Sequence, residues 1–249
     1  MLSDLYVTGV KLDREIPAES YLYNLPAIRH LRETDELPIR KRVTFFVGEN
    51  GIGKSTLIEA IAVSMGFNPE GGTRNFNFST ADSHSELYQY LTVCKGVKRN
   101  RDGFFLRAES FYNVASNIDE MDAEPSLGAP VIQSYGGVSL HKQSHGESFM
   151  ALAENRFGGQ GLYLLDEPEA ALSPSRLMRL ICLIDDLVKR DSQFIISTHS
   201  PILMAFPEAE VLELSEVGIF AVPYQETEHF RTTKQFLNAP EQMLKYLLE

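Results

Sequence analysis

Residues Gly48-Glu49-Asn50-Gly51-Ile52-Gly53-Lys54-Ser55 set glycines into a short run that ends in a lysine and a hydroxyl. Glycines let a backbone turn tightly enough for several N–H groups to face one anion, and a helix starting there adds its positive end. Lys54 then reaches β- and γ-phosphates, the Ser55 hydroxyl is a hard oxygen ligand for Mg²⁺, and Thr56 opens the helix. The pattern implies a bound nucleoside triphosphate. A second acidic centre follows far along the chain, where Asp166-Glu167 ends the apolar run Gly161-Leu-Tyr-Leu-Leu165. Asp166 is placed to hold Mg²⁺ opposite Ser55, and Glu167 to polarise an attacking water. His199 lies at the end of the next apolar run, where an imidazole reaches a γ-phosphate.

These groups work only if strand ends bring them together. Val43–Val47 is continuously apolar and reads as a buried central strand leading into the phosphate loop. Residues 161–165 and 194–198 read as two more core strands, and 211–214 with 219–222 as closing strands. Strand character over 5–12 begins an N-terminal antiparallel piece, while 13–42, with prolines at 17, 26 and 38, reads as short strands and loops. Residues 66–85 read as a loop or lid. The polar turn 98–103 suggests a hairpin joining strands at 87–93 and 103–107. Helices are expected from Thr56, over 110–121 and 144–156, from Pro174, and over 240–248, with 122–143 irregular. Alternating strands and helices imply an α/β fold with a largely parallel sheet and functional loops at the strands' C-terminal ends.

Composition sets the frame. The chain has 249 residues, 43% of them hydrophobic, enough for a substantial core. Cys94 and Cys182 form no paired motif and are expected to be reduced, buried residues of a cytoplasmic protein. No signal core and no run of membrane-spanning length is found, so no membrane insertion is expected. The net charge of −11 opposes general attraction to nucleic acid, although Lys95, Lys98, Arg99, Arg101 and Arg107 form a basic cluster.

Four ordered motifs, Gly48 to Ser55, Ser144-His-Gly-Glu-Ser148, Leu162 to Pro168 and Ser197-Thr-His199, resemble those of ATP-binding-cassette ATPases. The resemblance runs from Val43 to Leu214 and leans toward soluble, single-domain ATPases related to the condensin and DNA-repair branch. It implies a P-loop fold with a mixed sheet, an N-terminal antiparallel β subdomain and a small helical signature subdomain. These form one domain with lobes at 1–108, 109–160 and 161–249. ATP and Mg²⁺ are the implied ligands, and a homodimer formed on ATP binding is the implied assembly. Ser144 and Gly146 match the signature loop that touches the γ-phosphate held by the opposite subunit. Gln143-Ser-His-Gly-Glu147 stands where the family has Leu-Ser-Gly-Gly-Gln, so Glu147 occupies the glutamine's position. Ser144 also reads, on its own, as a helix N-cap.

Further positions follow from the resemblance. Glu109 falls where the family has a glutamine that senses Mg²⁺ and the attacking water, which makes it a candidate metal ligand. Ala170-Ala-Leu-Ser173 replaces Ser-Ala-Leu-Asp, and Tyr21 and Tyr23 are candidates for stacking on adenine. No heptads lie between Glu109 and Ser144, which excludes a long coiled-coil arm there. The branch resemblance and basic cluster put a nucleic-acid-linked or defence process first among outputs. A transporter's nucleotide-binding subunit comes second, and a nucleotide-gated switch that recruits a protein partner with little turnover third.

Overall fold

The computed structural model describes residues 3–74, 85–108, 110–123 and 130–248. Unbroken apolar runs become central strands because both faces of the sheet are covered. Val43–Val47 (β3) is buried at every residue and lies between Gln193–Ser197 (β7) and Glu210–Ser215 (β8), parallel to both. Outside β7 come Gly161–Asp166 (β6) and then Asp102–Arg107 (β5), also parallel, while Gly218–Ala221 (β9) pairs antiparallel with β8. The result is a six-stranded sheet in the order β5-β6-β7-β3-β8-β9.

Side chains alternate across this sheet into two cores. Phe45, Leu106, Leu165 and Ile196 face one core, which Phe111–Ala123 (α3), His145–Arg156 (α4), Pro174–Lys189 (α5) and Pro201–Met204 (α6) cover. Phe46, Phe105, Leu164 and Ile195 face the other, against Leu57, Ile58 and Ile61 of Lys54–Ser64 (α2). A three-stranded antiparallel sheet closes that second core, with Val7–Leu12 (β1) between Leu37–Pro38 (β2) and Leu91–Lys95 (β4). Register decides what the strand ends offer. Phe46 is level with Ser197, Ser197 with Asp166, and Asp166 with Arg107, so all the C-terminal loops leave the sheet at one height.

One buried amide ties the two sheets together. Gln193 accepts from the N–H groups of Tyr6 and Val7 at 2.8 and 2.9 Å and donates to the Val7 carbonyl at 2.8 Å. Gln193→Ala strands three backbone groups in the interior. It is expected to cost about 3 kcal/mol in urea unfolding, and a loss below about 1 kcal/mol would mean the amide is not the tie.

Four expectations are corrected here. The 87–93 and 103–107 strands are not a hairpin, because β4 joins the antiparallel sheet and β5 the parallel one. Within the basic cluster Arg107 turns inward, whereas Lys95, Lys98, Arg99 and Arg101 stay exposed, with Lys98 3.6 Å from both Asp4 and Asp191. Residues 13–42 include a helix, Pro26–Glu33 (α1), which Pro26 opens rather than breaks because a first-turn N–H has no helical partner to lose. Cys182 is exposed, since Leu177, Leu180, Ile184 and Leu187 turn the opposite side of α5 inward. The chain also has a helix that sequence reading missed, Glu228–Asn238 (α7), before the expected Pro240–Leu248 (α8); neither buries a residue.

Candidate active site

The phosphate loop leaves β3 at Gly48, whose φ of 142° suits glycine, and a Cβ there would lie 2.2 Å from the Leu214 carbonyl oxygen. Lys54 begins α2 with its side chain folded over the loop. Its Nζ donates to the carbonyls of Gly48 and Glu49 at 2.8 and 2.9 Å. Burial pulls the Lys54 pKa down, against the opposing pull of Glu167, Asp166 and Glu169. An ammonium held this way is ready to exchange carbonyl partners for phosphate oxygens.

Asp166 ends β6 in the interior. The Ser197 hydroxyl donates to its Oδ1, the Ser55 hydroxyl also hydrogen-bonds it, and Arg107 Nε lies 3.3 Å from Oδ2. Burial raises its pKa, with Ser197, Arg107 and Ser55 acting in the other direction. Arg107 also holds Glu59 at 2.5 Å, so this member of the supposed surface cluster is an internal counter-charge. Ser55 and Asp166 therefore meet as an all-oxygen donor pair, the chemistry Mg²⁺ requires.

Glu167 takes a left-handed backbone conformation, φ 49° and ψ 54°, that costs a non-glycine residue energy and persists only where its surroundings impose it. Here the Ser197 carbonyl and hydroxyl both accept from its N–H, at 3.1 and 3.2 Å. Its carboxylate then comes to 3.3 Å from His199 Nε2, close but off the line of a full hydrogen bond. His199 continues from β7, where the Thr198 N–H donates to the Phe46 carbonyl at 3.0 Å. Burial first, and then Lys54, lowers the His199 pKa, which keeps the imidazole neutral near pH 7.

Two contributors escaped sequence reading. Glu169, in the turn Pro168–Ala170, accepts from the His199 N–H and is half-buried, and the burial of its carboxyl raises its pKa. Its signal was the acidic residue two places past Glu167, which the motif did not require. His229 of α7 lies against His199 and belongs to no motif.

Not every candidate joins this group. Ser144 caps α4, its N–H and hydroxyl both donating to Glu147 at 3.1 and 2.6 Å, and Glu147 pairs with Arg176 at 3.3 Å. Gly146 packs under Ala171, where a Cβ would come within 2.8 Å of the carbonyl oxygen. No hydrogen bond or ion pair among the described residues connects Ser144, Gly146 or Glu147 to the phosphate loop. Glu109 lies outside the described residues. Tyr21 is exposed, and Arg32 covers the face of Tyr23 at 3.6 Å. A cleft of about 720 Å³ opens beside Gly48 to Ile52, walled by Glu213 to Glu216 and by His229, Arg231 and Thr232 of α7.

A glycine loop between strand and helix, with an acidic pair ending a parallel strand one removed in the sheet, defines an ATP-binding P-loop domain. Comparison with known proteins narrows the class. A family model described as "AAA domain" matches residues 25–121, and one described as "AAA domain, putative AbiEii toxin, Type IV TA system" matches 145–205. The cytochrome c biogenesis ATP-binding export protein CcmA of Aliivibrio fischeri is 28% identical over 177 residues, 68% of this chain and 84% of that protein. An uncharacterized ABC transporter ATP-binding protein of Haemophilus influenzae is 24% identical over 242 residues, 88% of this chain and 87% of that one. CbiO1 of Clostridium perfringens superposes with a TM-score of 0.54 at 16% identity, covering 98% of this chain and 99% of its own. In sequence the chain is similar to ABC ATP-binding proteins, and it shares the fold of an ABC ATP-binding domain. No helix among the described residues is long and apolar enough to cross a membrane.

Proposed function

We propose that this chain hydrolyses ATP, and that two copies clasp the nucleotide head to tail. The observation carrying this reading is the Glu167–His199 pair at the strand ends, beside Lys54 and the Ser55–Asp166 oxygen pair. Lys54 and the loop backbone hold the phosphates, Glu167 takes a proton from the attacking water, and His199 steadies the terminal phosphoryl group. Magnesium bound at Ser55 and Asp166 would neutralise charge on the phosphate oxygens. For the chain's own residues, catalysis is positioning and charge compensation.

The second half of the site is read from α4. Among the described residues Ser144 and Gly146 make no hydrogen bond or ion pair to the phosphate loop, and in this reading a second copy brings them to the γ-phosphate. Glu147 engages the Ser144 hydroxyl meanwhile, and the hydroxyl must change partners on closure. Ser144→Arg is expected to leave ATP affinity of the isolated chain within about threefold, while abolishing both the ATP-dependent dimer and turnover. Turnover independent of protein concentration and unaffected by this substitution would overturn the clasped dimer.

The output favoured by the relatives is a transporter's cytoplasmic nucleotide-binding subunit, since the curated proteins it resembles carry export and ABC transporter names. Co-purification of a membrane protein with the Glu167→Gln variant in ATP tests this reading. A defence-linked output draws support from the family description matching 145–205. Its nucleic-acid form would use the exposed Lys95, Lys98, Arg99 and Arg101, and unchanged turnover with DNA or RNA at low salt would end it.

A further inference from the structure

Helix α7 comes from a segment with no motif, yet its second residue enters the catalytic group. His229 Nε2 lies 2.8 Å from His199 Nδ1, with ring centroids 4.8 Å apart and planes inclined at 56°. The start of α7 is anchored for this contact. Thr227 is fully buried, its hydroxyl donates to the Tyr224 carbonyl at 2.7 Å, and it accepts from the Phe230 N–H at 3.4 Å. Phe230 meets Tyr224 edge to face at 5.2 Å. The same hydroxyl contacts Met204 Sδ at 3.7 Å, on the short helix that directly follows His199. Both ends of the contact are therefore held by neighbouring structure.

Two ring nitrogens at this distance share one proton between them, so the donor must be identified from what lies beyond each ring. His199 Nε2 faces the Glu167 carboxylate, an acceptor only, which favours the proton on that nitrogen and leaves Nδ1 bare. His229 Nδ1 and His199 Nε2 are both buried without a full hydrogen bond. His199 Nε2 has a carboxylate 3.3 Å away to face, so a proton costs less there than on His229 Nδ1, and the proton between the rings belongs to His229 Nε2.

We propose that His229 is a positioning residue: its Nε2–H donates to His199 Nδ1, and so fixes both the ring orientation and the tautomer that presents N–H toward Glu167 and the terminal phosphate. This rests on the reading that His199 acts on ATP. The consequence is that α7, at the C-terminal end of the chain, sets the donor face of a residue on the central sheet. A third member commonly orients an imidazole in catalytic constellations; here a second imidazole takes that place.

The test uses the full chain. His229→Phe keeps a ring of similar size but removes the donor, while His229→Gln returns an N–H near the same position. With His229→Phe, kcat for ATP is expected to fall about 10- to 100-fold with KM within about twofold, and His229→Gln to recover to within about threefold of the parent. Nitrogen-15 labelling of histidine reads the His199 tautomer without any turnover. The parent is expected to hold one tautomer, protonated on Nε2, and His229→Phe a mixture. An unchanged tautomer in His229→Phe, or a His229→Gln variant as slow as His229→Phe, overturns the assignment. If the parent proves inactive, hydrolysis falls, and the tautomer measurement alone still decides the role of His229.

Discussion

Glu167→Gln is expected to lower kcat about 100- to 10,000-fold while ATP still binds, because it removes a proton acceptor and little else. The amide is nearly isosteric with the carboxylate and can still meet His199, so ring placement survives. What disappears is the base, in a position the chain maintains at a cost. The left-handed backbone at Glu167 is worth about 1–3 kcal/mol of strain, and the Ser197 carbonyl and hydroxyl oppose it through the Glu167 N–H. With cleavage blocked, the ATP-held dimer should accumulate on size-exclusion chromatography and dissolve when nucleotide is removed. Turnover at the parent rate would be fatal to the base assignment. A slow variant that stays monomeric in ATP would retain the base and reject the clasp.

The parts legible in the sequence share one property, that local chemistry alone determines them. Val43–Val47 followed by glycines, Lys54 and Ser55 specifies strand, turn and helix within a few residues, and the structure places all of them as read. The acidic pair after 161–165 and His199 after 194–198 were readable for the same reason, as buried strands ending in polar residues. What failed needed knowledge of partners distant in sequence. A polar run between two apolar segments has the same composition whether it turns a hairpin or crosses between sheets, so β4 and β5 were paired wrongly. Arg107 looks like a surface cation until register sets it level with Asp166. Pro26 carries opposite meanings inside a helix and at its first turn. His229 has no local signature at all, because its importance comes from where α7 docks.

Around the phosphate loop, carboxylates outnumber cations, and this sets what the lysine must do. Asp166, Glu167 and Glu169 all act on Lys54 and oppose the burial that lowers its pKa. Arg107 answers part of that charge but is committed to Glu59 and Asp166. Without Lys54, an arriving triphosphate would meet a site of its own sign.

Lys54→Met is accordingly expected to weaken ATP binding about 100-fold or more, which is about 3 kcal/mol, in calorimetry or with a fluorescent nucleotide. Methionine fills the same stem volume, so the loss reports the ammonium rather than a cavity. The folded state has less to lose. Removing a buried ammonium recovers its desolvation cost and gives up two carbonyl hydrogen bonds, to Gly48 and Glu49, together with attraction to three carboxylates. These terms oppose each other, so the unfolding free energy should change by no more than about 1–2 kcal/mol in denaturant titration. Binding and stability thus separate at this residue. A variant that binds ATP within about threefold of the parent would place the triphosphate elsewhere. One that fails to fold would show the ammonium to be a structural strut of the empty loop.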